Sequence, residues 1–198
     1  MTKILTLYQS QLGSVKKMAE FICRGITQEE GCEAVLRTVP PVFTNLSDNS
    51  EKIPESGAPY ARLEDLSNCD GLLLGSPTRF GNMSAEMKHF LDSTSSIWMS
   101  GNLIGKPAAV FTSSSSMHGG QESTLLSMMV PLLHHGMLIS GVPYSEKALG
   151  HTTTGGTPYG ASHVAGSNNQ LPISDDEKTL CIALGKRVAV LAQKLKHS

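Results

Sequence analysis

Gly71-Leu72-Leu73-Leu74-Gly75 runs five residues without a polar side chain, and Ser76-Pro77-Thr78-Arg79-Phe80-Gly81-Asn82-Met83 follows at once. A short, continuous apolar run fits a strand covered on both faces, as in a parallel sheet between helix layers. In the segment after it, small and rigid residues bracket Arg79 and Phe80. An aromatic beside a guanidinium in a turn is costly unless something flat packs against it, and binding residues collect on loops held by a rigid scaffold. The stretch reads as a strand that ends at a ligand, or as an ordinary proline turn with an exposed aromatic.

The neighbouring segments repeat the theme. Upstream, Ile4 to Tyr8 is another buried strand, and polar Ser10 to Ser14 turns the chain into a helix with Val15, Met18, Ala19, Ile22 and Ile26 on one face. Gly31 stops that helix, and Ala34 to Val39 gives a further strand ended by Pro40 and Pro41. The polar stretch from Phe43 to Ala61 is expected to be a surface excursion, with a short helix or turn at Leu63 to Leu66. Downstream, Ser84 caps a helix carrying Met87, Phe90 and Leu91. Trp98 falls in a loop, and Ala108 to Thr112 is the fourth strand. A helix follows with Leu125, Leu126, Met129, Leu132 and Leu133, which Pro131 should kink or displace. Met137 to Ile139 is the fifth strand, and Gly150 to Pro172 is irregular. The last helix starts near Asp175, with Leu180, Leu184, Val188, Leu191 and Leu195 on its inner face. Five alternations of strand and helix predict one α/β domain over residues 1–198, a doubly wound parallel sheet with helices on both faces.

Bulk properties narrow the function. Of 198 residues, 39% are hydrophobic and 17% charged, which is globular. A net charge of −1, with no basic runs, argues against nucleic-acid binding. Cys23, Cys32, Cys69 and Cys181 show neither C-x-x-C pairing nor zinc-ligand spacing, so no metal site is expected and a reducing compartment is. The apolar start is too short for a signal-peptide core, and no window is long enough to span a membrane. A cytoplasmic protein without membrane insertion is expected.

In open α/β sheets, ligands bind beyond the carboxyl ends of the strands. Ser10-Gln11-Leu12-Gly13-Ser14-Val15 joins a strand to a helix start, where amides lack partners and the dipole favours an anion. It reads as a phosphate site or as an ordinary serine cap. Ser113-Ser114-Ser115-Ser116-Met117-His118-Gly119 is a second donor-rich turn, wedged between core elements. Adjacent His134 and His135 point about 100° apart on a helix and cannot share a metal. Rival signatures fail. Gly101 to Lys106 is one residue short of a Walker A loop, with Pro107 where Ser or Thr is required. There is no G-x-G-x-x-G after the first strand, no G-x-S-x-G and no H-E-x-x-H.

At these turns the sequence resembles the WrbA family of NAD(P)H:quinone oxidoreductases, a flavodoxin-like group. The resemblance rests on Gly75 to Met83, His118-Gly119-Gly120-Gln121-Glu122, His134-His135-Gly136-Met137 and Gly155-Gly156-Thr157-Pro158-Tyr159-Gly160-Ala161, in family order. It implies a five-stranded sheet of order 2-1-3-4-5 with FMN at the ends of strands one, three and four. Carried over by position, Ser10, Gln11, Leu12, Gly13, Ser14 and Val15 would hold the phosphate. Thr78, Arg79 and Phe80 would line the ring. Ser113, Ser114, Ser115, Ser116, Met117, His118 and Gly119 would cover the ribityl chain and pyrimidine edge, and His134 would reach the pocket. Trp98 matches a tryptophan that walls the cavity from a neighbouring subunit, in keeping with a homotetramer. Two departures stand out: Leu12 replaces a frequent aromatic, and Ser115 to His118 replaces a more glycine-rich loop. The implied activity is a ping-pong passage of two electrons from NAD(P)H through FMN to a quinone, with His134 and Trp98 as catalytic candidates. The alternatives are a flavodoxin-type electron carrier, usually far more acidic, and a scaffold that has lost the flavin.

Overall fold

The computed structural model describes residues 1–42 and 57–196, so most of the surface excursion expected from Phe43 to Ala61 lies outside the described residues. The elements run β1 (Thr2–Tyr8), α1 (Ser14–Ile26), β2 (Cys32–Thr38), α2 (Leu63–Ser67), β3 (Gly71–Pro77), α3 (Ala85–Asp92), α4 (Ser95–Met99), β4 (Pro107–Ser114), α5 (Gln121–His134), β5 (Leu138–Ile139), α6 (Lys147–His151), β6 (Ala161–Val164) and α7 (Asp175–Lys196). All strand pairs are parallel and the order is β2-β1-β3-β4-β5. The doubly wound sheet expected from the sequence is the one observed.

Alternation along the strands builds two cores. Ile4, Tyr8, Leu73, Ala109 and Phe111 face α1 and α7. Leu5, Leu7, Leu72, Leu74, Ala108 and Val110 face the other way, onto α3 and α5. The α1 stripe of Val15, Met18, Ala19, Ile22 and Ile26 is buried as its spacing requires. α1 and α7 touch backbone to backbone. A Cβ on Gly25 would lie 2.0 Å from the Ile182 carbonyl oxygen, and one on Gly185 would lie 2.2 Å from that of Ile22. Only glycine fits at either point.

The β4 edge of the sheet differs most from expectation. β5 has two residues, paired with Pro107 and Ala108, while β6 pairs with Phe111 to Ser114 further along the same edge of β4. The expected strand at Met137 to Ile139 is thus β5, and β6 is a further strand on the same edge, after an insertion of residues 140–160. Part of the stretch read as irregular, Gly150 to Pro172, is thus β6; short length and the polar Ser162 and His163 hid it.

Three smaller readings also change. Trp98 lies in the short helix α4, not in a loop. Pro131 sits in the last turn of α5 and neither ends the helix nor moves its start. In α5, Leu125, Met128 and Leu132 are buried whereas Leu126, Val130 and Leu133 are exposed, so the stripe turns by one residue from that expected. Leu195 is likewise exposed and Leu191 half-buried, because α7 buries small residues such as Gly185, Ala189 and Ala192 instead.

Candidate functional site

A cleft opens at the carboxyl ends of β1, β3, β4 and β6, beside the point where the strand order reverses between β1 and β3. It is open to solvent, with a cavity volume of about 150 Å³. Its wall includes Ser10, Gln11, Leu12, Ser14 and Val15 from the first loop, Thr78 and Arg79 from the second, and Ser113, Ser114 and Ser115 from the third. Three turns far apart in the chain thus meet in one place.

The first loop is a helix N-terminus with unusual chemistry. Gly13, at φ 92°, turns the chain into α1, and no side chain caps the helix. Its first turn carries no acidic residue, so the positive end of the dipole is unneutralised. The Gly13 amide donates to Ser10 Oγ at 3.2 Å, which leaves the Ser10 hydroxyl hydrogen free. The Ser14 hydroxyl instead donates to Asn169 Oδ1 at 2.6 Å. The two serines are therefore not equivalent as donors to an anion.

The second loop is a tight turn. The amide of Arg79 donates to the Asn82 carbonyl at 2.7 Å and that of Asn82 returns to Arg79 at 3.0 Å. Phe80 and Gly81 between them have φ of 51° and 77°. A bulky residue in the left-handed region is strained, and Phe80 is also fully exposed and is not among the residues lining the cleft. The Arg79 guanidinium donates to the Thr78 carbonyl and to Gln11 Oε1, joining the second loop to the first. Thr78 accepts from the Thr124 hydroxyl at 2.7 Å, which ties the loop to α5.

In the third loop, Ser114 Oγ donates to the Ser116 carbonyl and accepts from Gln121 Nε2 at 2.8 Å. Gln121 Oε1 in turn accepts from Ser162. Ser116, Met117 and His118 are exposed beyond this anchored base, and Gly119 is half-buried.

Trp98 and His134 lie together elsewhere. They border a shallow depression between α4 and α5 with Leu91, Thr94, Val130 and His135, and the Trp98 indole donates to the His134 carbonyl at 2.9 Å. His134 ends α5, a 14-residue helix about 20 Å long, and is not among the residues lining the cleft, although the depression it borders extends to Asn82 and Met83. Within one chain, His134 and the cleft are apart. His135 is buried, and its Nε2 meets Thr94 Oγ1 at 2.9 Å. The Thr94 hydroxyl hydrogen goes to the Leu91 carbonyl, so His135 Nε2 carries the proton and the buried Nδ1 lone pair has no partner among the described residues. Burial, then the neighbouring His134, lowers the His135 pKa.

Ala165, Gly166, Ser167 and Asn169, after β6, also line the cleft. Sequence reading passed over them because their strand was missed; the signal was the turn-forming run Gly166-Ser167-Asn168-Asn169 after four small or β-forming residues.

Known proteins share these features. A WrbA-like flavodoxin from Agrobacterium tumefaciens superposes with a TM-score of 0.69 at 22% identity, over 98% of this chain and 99% of that one. That likeness shows the fold. A protein of Syntrophobacter fumaroxidans named NAD(P)H dehydrogenase (quinone) is 41% identical, over 99% of this chain and all of its own length. One of the same name from Geotalea daltonii is 43% identical over 98% of each chain. The model of the family described as NADPH-dependent FMN reductase matches residues 2–164. With a flavodoxin-type sheet, three converging loops and full-length relatives at this identity, the chain belongs to the NADPH-dependent FMN reductase family.

Proposed function

We propose that the chain is an FMN-dependent NAD(P)H dehydrogenase (quinone) that passes two electrons from a nicotinamide cofactor to a quinone. The observation that carries this reading is the convergence of an uncapped, acid-free helix start with two further donor-bearing loops in one cleft. The residues present fit FMN. An anionic phosphate suits the amides of the first turn of α1 and the free Ser10 hydroxyl. A planar ring suits the backbone and side chains of Thr78 and Arg79 on one side and Ser113 to Ser115 on the other. When bound, FMN supplies a centre that takes up and gives out two electrons, while the protein supplies position and electrostatics.

The chain's own residues have separable roles in this reading. The first-turn amides of α1 and the Ser10 hydroxyl bind the phosphate end, and the Arg79–Gln11 bridge holds the first two loops in a fixed relation. The Gln121–Ser114 bond fixes the base of the third loop, whose amides stabilise charge at the pyrimidine edge. Trp98 and His134 orient the quinone, and His134 hands it a proton. Because they border the α4–α5 depression and not their own cleft, they act on the cleft of another copy. The exposed stripe of Leu126, Val130 and Leu133, opposite a face already buried in the core, supports burial against another copy, in keeping with a homotetramer. Four free thiols go with a cytoplasmic setting, and no helix among the described residues is long and apolar enough to cross a membrane.

The test is direct. Protein mixed with FMN should consume NADH or NADPH only when benzoquinone is present at comparable concentration. Failure to bind FMN in isothermal titration, or consumption indifferent to the quinone, overturns the reading.

A further inference from the structure

The geometry points to the loop from Ala165 to Leu171 as a fourth segment of the cofactor site, in which Asn169 locks the phosphate loop into its binding shape. This inference rests on the FMN reading above.

The loop is built to hold one side chain in place. The Leu171 amide donates to the Ala165 carbonyl at 2.9 Å and that of Asn169 to the Gly166 carbonyl at 3.1 Å, so the loop closes on itself. Asn169 has φ of 55°, a left-handed conformation that asparagine tolerates better than most residues. Its side chain crosses to the start of α1. Nδ2 donates to the Leu12 carbonyl at 3.0 Å, and Oδ1 accepts from Ser14 Oγ at 2.6 Å. The amide orientation is forced, because a carbonyl oxygen only accepts and so must face the NH₂ group. Leu12 and Ser14 flank Gly13, whose backbone turns the chain into the helix. Asn169 thus holds both sides of that turn.

The loop's ends are pinned in their turn. The buried Glu177 carboxylate accepts from the Val164 amide at 3.1 Å, before the loop, and from the Ser174 amide at 2.8 Å, after it. It also takes the Gly155 amide at 2.9 Å and His163 Nδ1 at 2.9 Å. One carboxylate therefore clamps both ends of the segment that presents Asn169. With the turn ordered before a ligand arrives, binding need not supply that ordering.

The test uses Asn169→Gly, which adopts the same backbone conformation without strain and removes only the side chain. Affinities for FMN and riboflavin are read from quenching of flavin fluorescence. FMN should bind about tenfold more weakly, the loss of about one net hydrogen bond, and riboflavin within about twofold of wild type, because it has no phosphate. Hydrogen exchange at Ser14 to Lys17 in the flavin-free variant should be faster. Equal losses for both flavins would place the loop's effect on the ring and overturn the proposal. Unchanged or tighter FMN binding would also overturn it, by making Asn169 only a competitor for the Ser14 hydroxyl. A wild-type protein without FMN affinity would instead remove the underlying reading.

Discussion

The strand-end cleft and the α4–α5 depression differ in how complete each is within one chain. In the cleft, the base of each loop is tied by hydrogen bonds to another segment: Arg79 to Gln11, Ser114 to Gln121, Asn169 to Leu12 and Ser14. The depression is apolar and open, with Trp98 52% and Val130 54% exposed, and it borders a buried histidine nitrogen without a partner among the described residues. A polar site is finished by its own scaffold because unpaired polar groups are costly when buried. An apolar face is finished by whatever covers it. One region should therefore answer to changes in local bonding, the other to changes in assembly.

The largest effect should come from charging the open face. Leu133→Glu is expected to reduce the assembly to single chains in light scattering and to lower quinone-dependent NADH oxidation about a hundredfold, while FMN affinity stays within about threefold. Loss of FMN along with assembly would erase the distinction between the regions. Next, Ser14→Asp puts a carboxylate at the helix start. It should stabilise α1 by about 0.5 kcal/mol yet weaken FMN binding about a hundredfold, with riboflavin little affected. Thermal melting and flavin titration together check both signs. Ser10→Ala should weaken FMN about tenfold and Ser14→Ala less than about threefold, since only the Ser10 hydroxyl hydrogen is uncommitted; equal losses would break that asymmetry.

The smallest effects are on pH, and they separate the regions again. Burial pushes the Glu177 carboxyl up, but hydrogen bonds from His163, Thr154 and Ser174 outweigh it and bring it to about 2, below the ordinary 4.5. Its contribution is complete above the ordinary value and lost as pH falls from about 4.5 toward 2, so melting temperature should drop across that window and less steeply in Glu177→Gln. His135 is held neutral below its ordinary 6.5. The unfolded chain takes up a proton that the native chain resists, so stability at the α4–α5 junction is lost as pH falls through 6.5. Emission of Trp98, the single tryptophan, should report that loosening, and a pH-independent spectrum would count against it.

Much of this was legible before any coordinates. The run Gly71 to Gly75 is buried on both faces, and its apolar composition states as much. The α1 stripe is strictly periodic because α1 packs on a single surface. α5 was misread by one residue because it is apolar on two sides, so spacing alone could not choose which face meets the sheet. β6 was missed because four residues with a serine and a histidine carry no strand signal; their burial comes from Gln121 and Glu177, far off in sequence. Asn169 was invisible for the same reason, its partners Ser14 and Leu12 lying 155 and 157 positions away.

The divided edge of the sheet has its own consequence. β5 and β6 dock on β4 separately, through two and four paired residues, and share no direct pairing. A long, uninterrupted border strand is a template for fibril growth, and two short pieces with a projecting insertion offer no such template. The arrangement also uncouples the length of residues 140–160 from the register of either piece. Changes at the exposed tip of this insertion, Tyr144 and Ser145, leave in place Ser113 and Ser114, which β6 aligns beside the cleft, whereas Val142, Ala148 and Leu149 are core residues and Gly155 is held by Glu177.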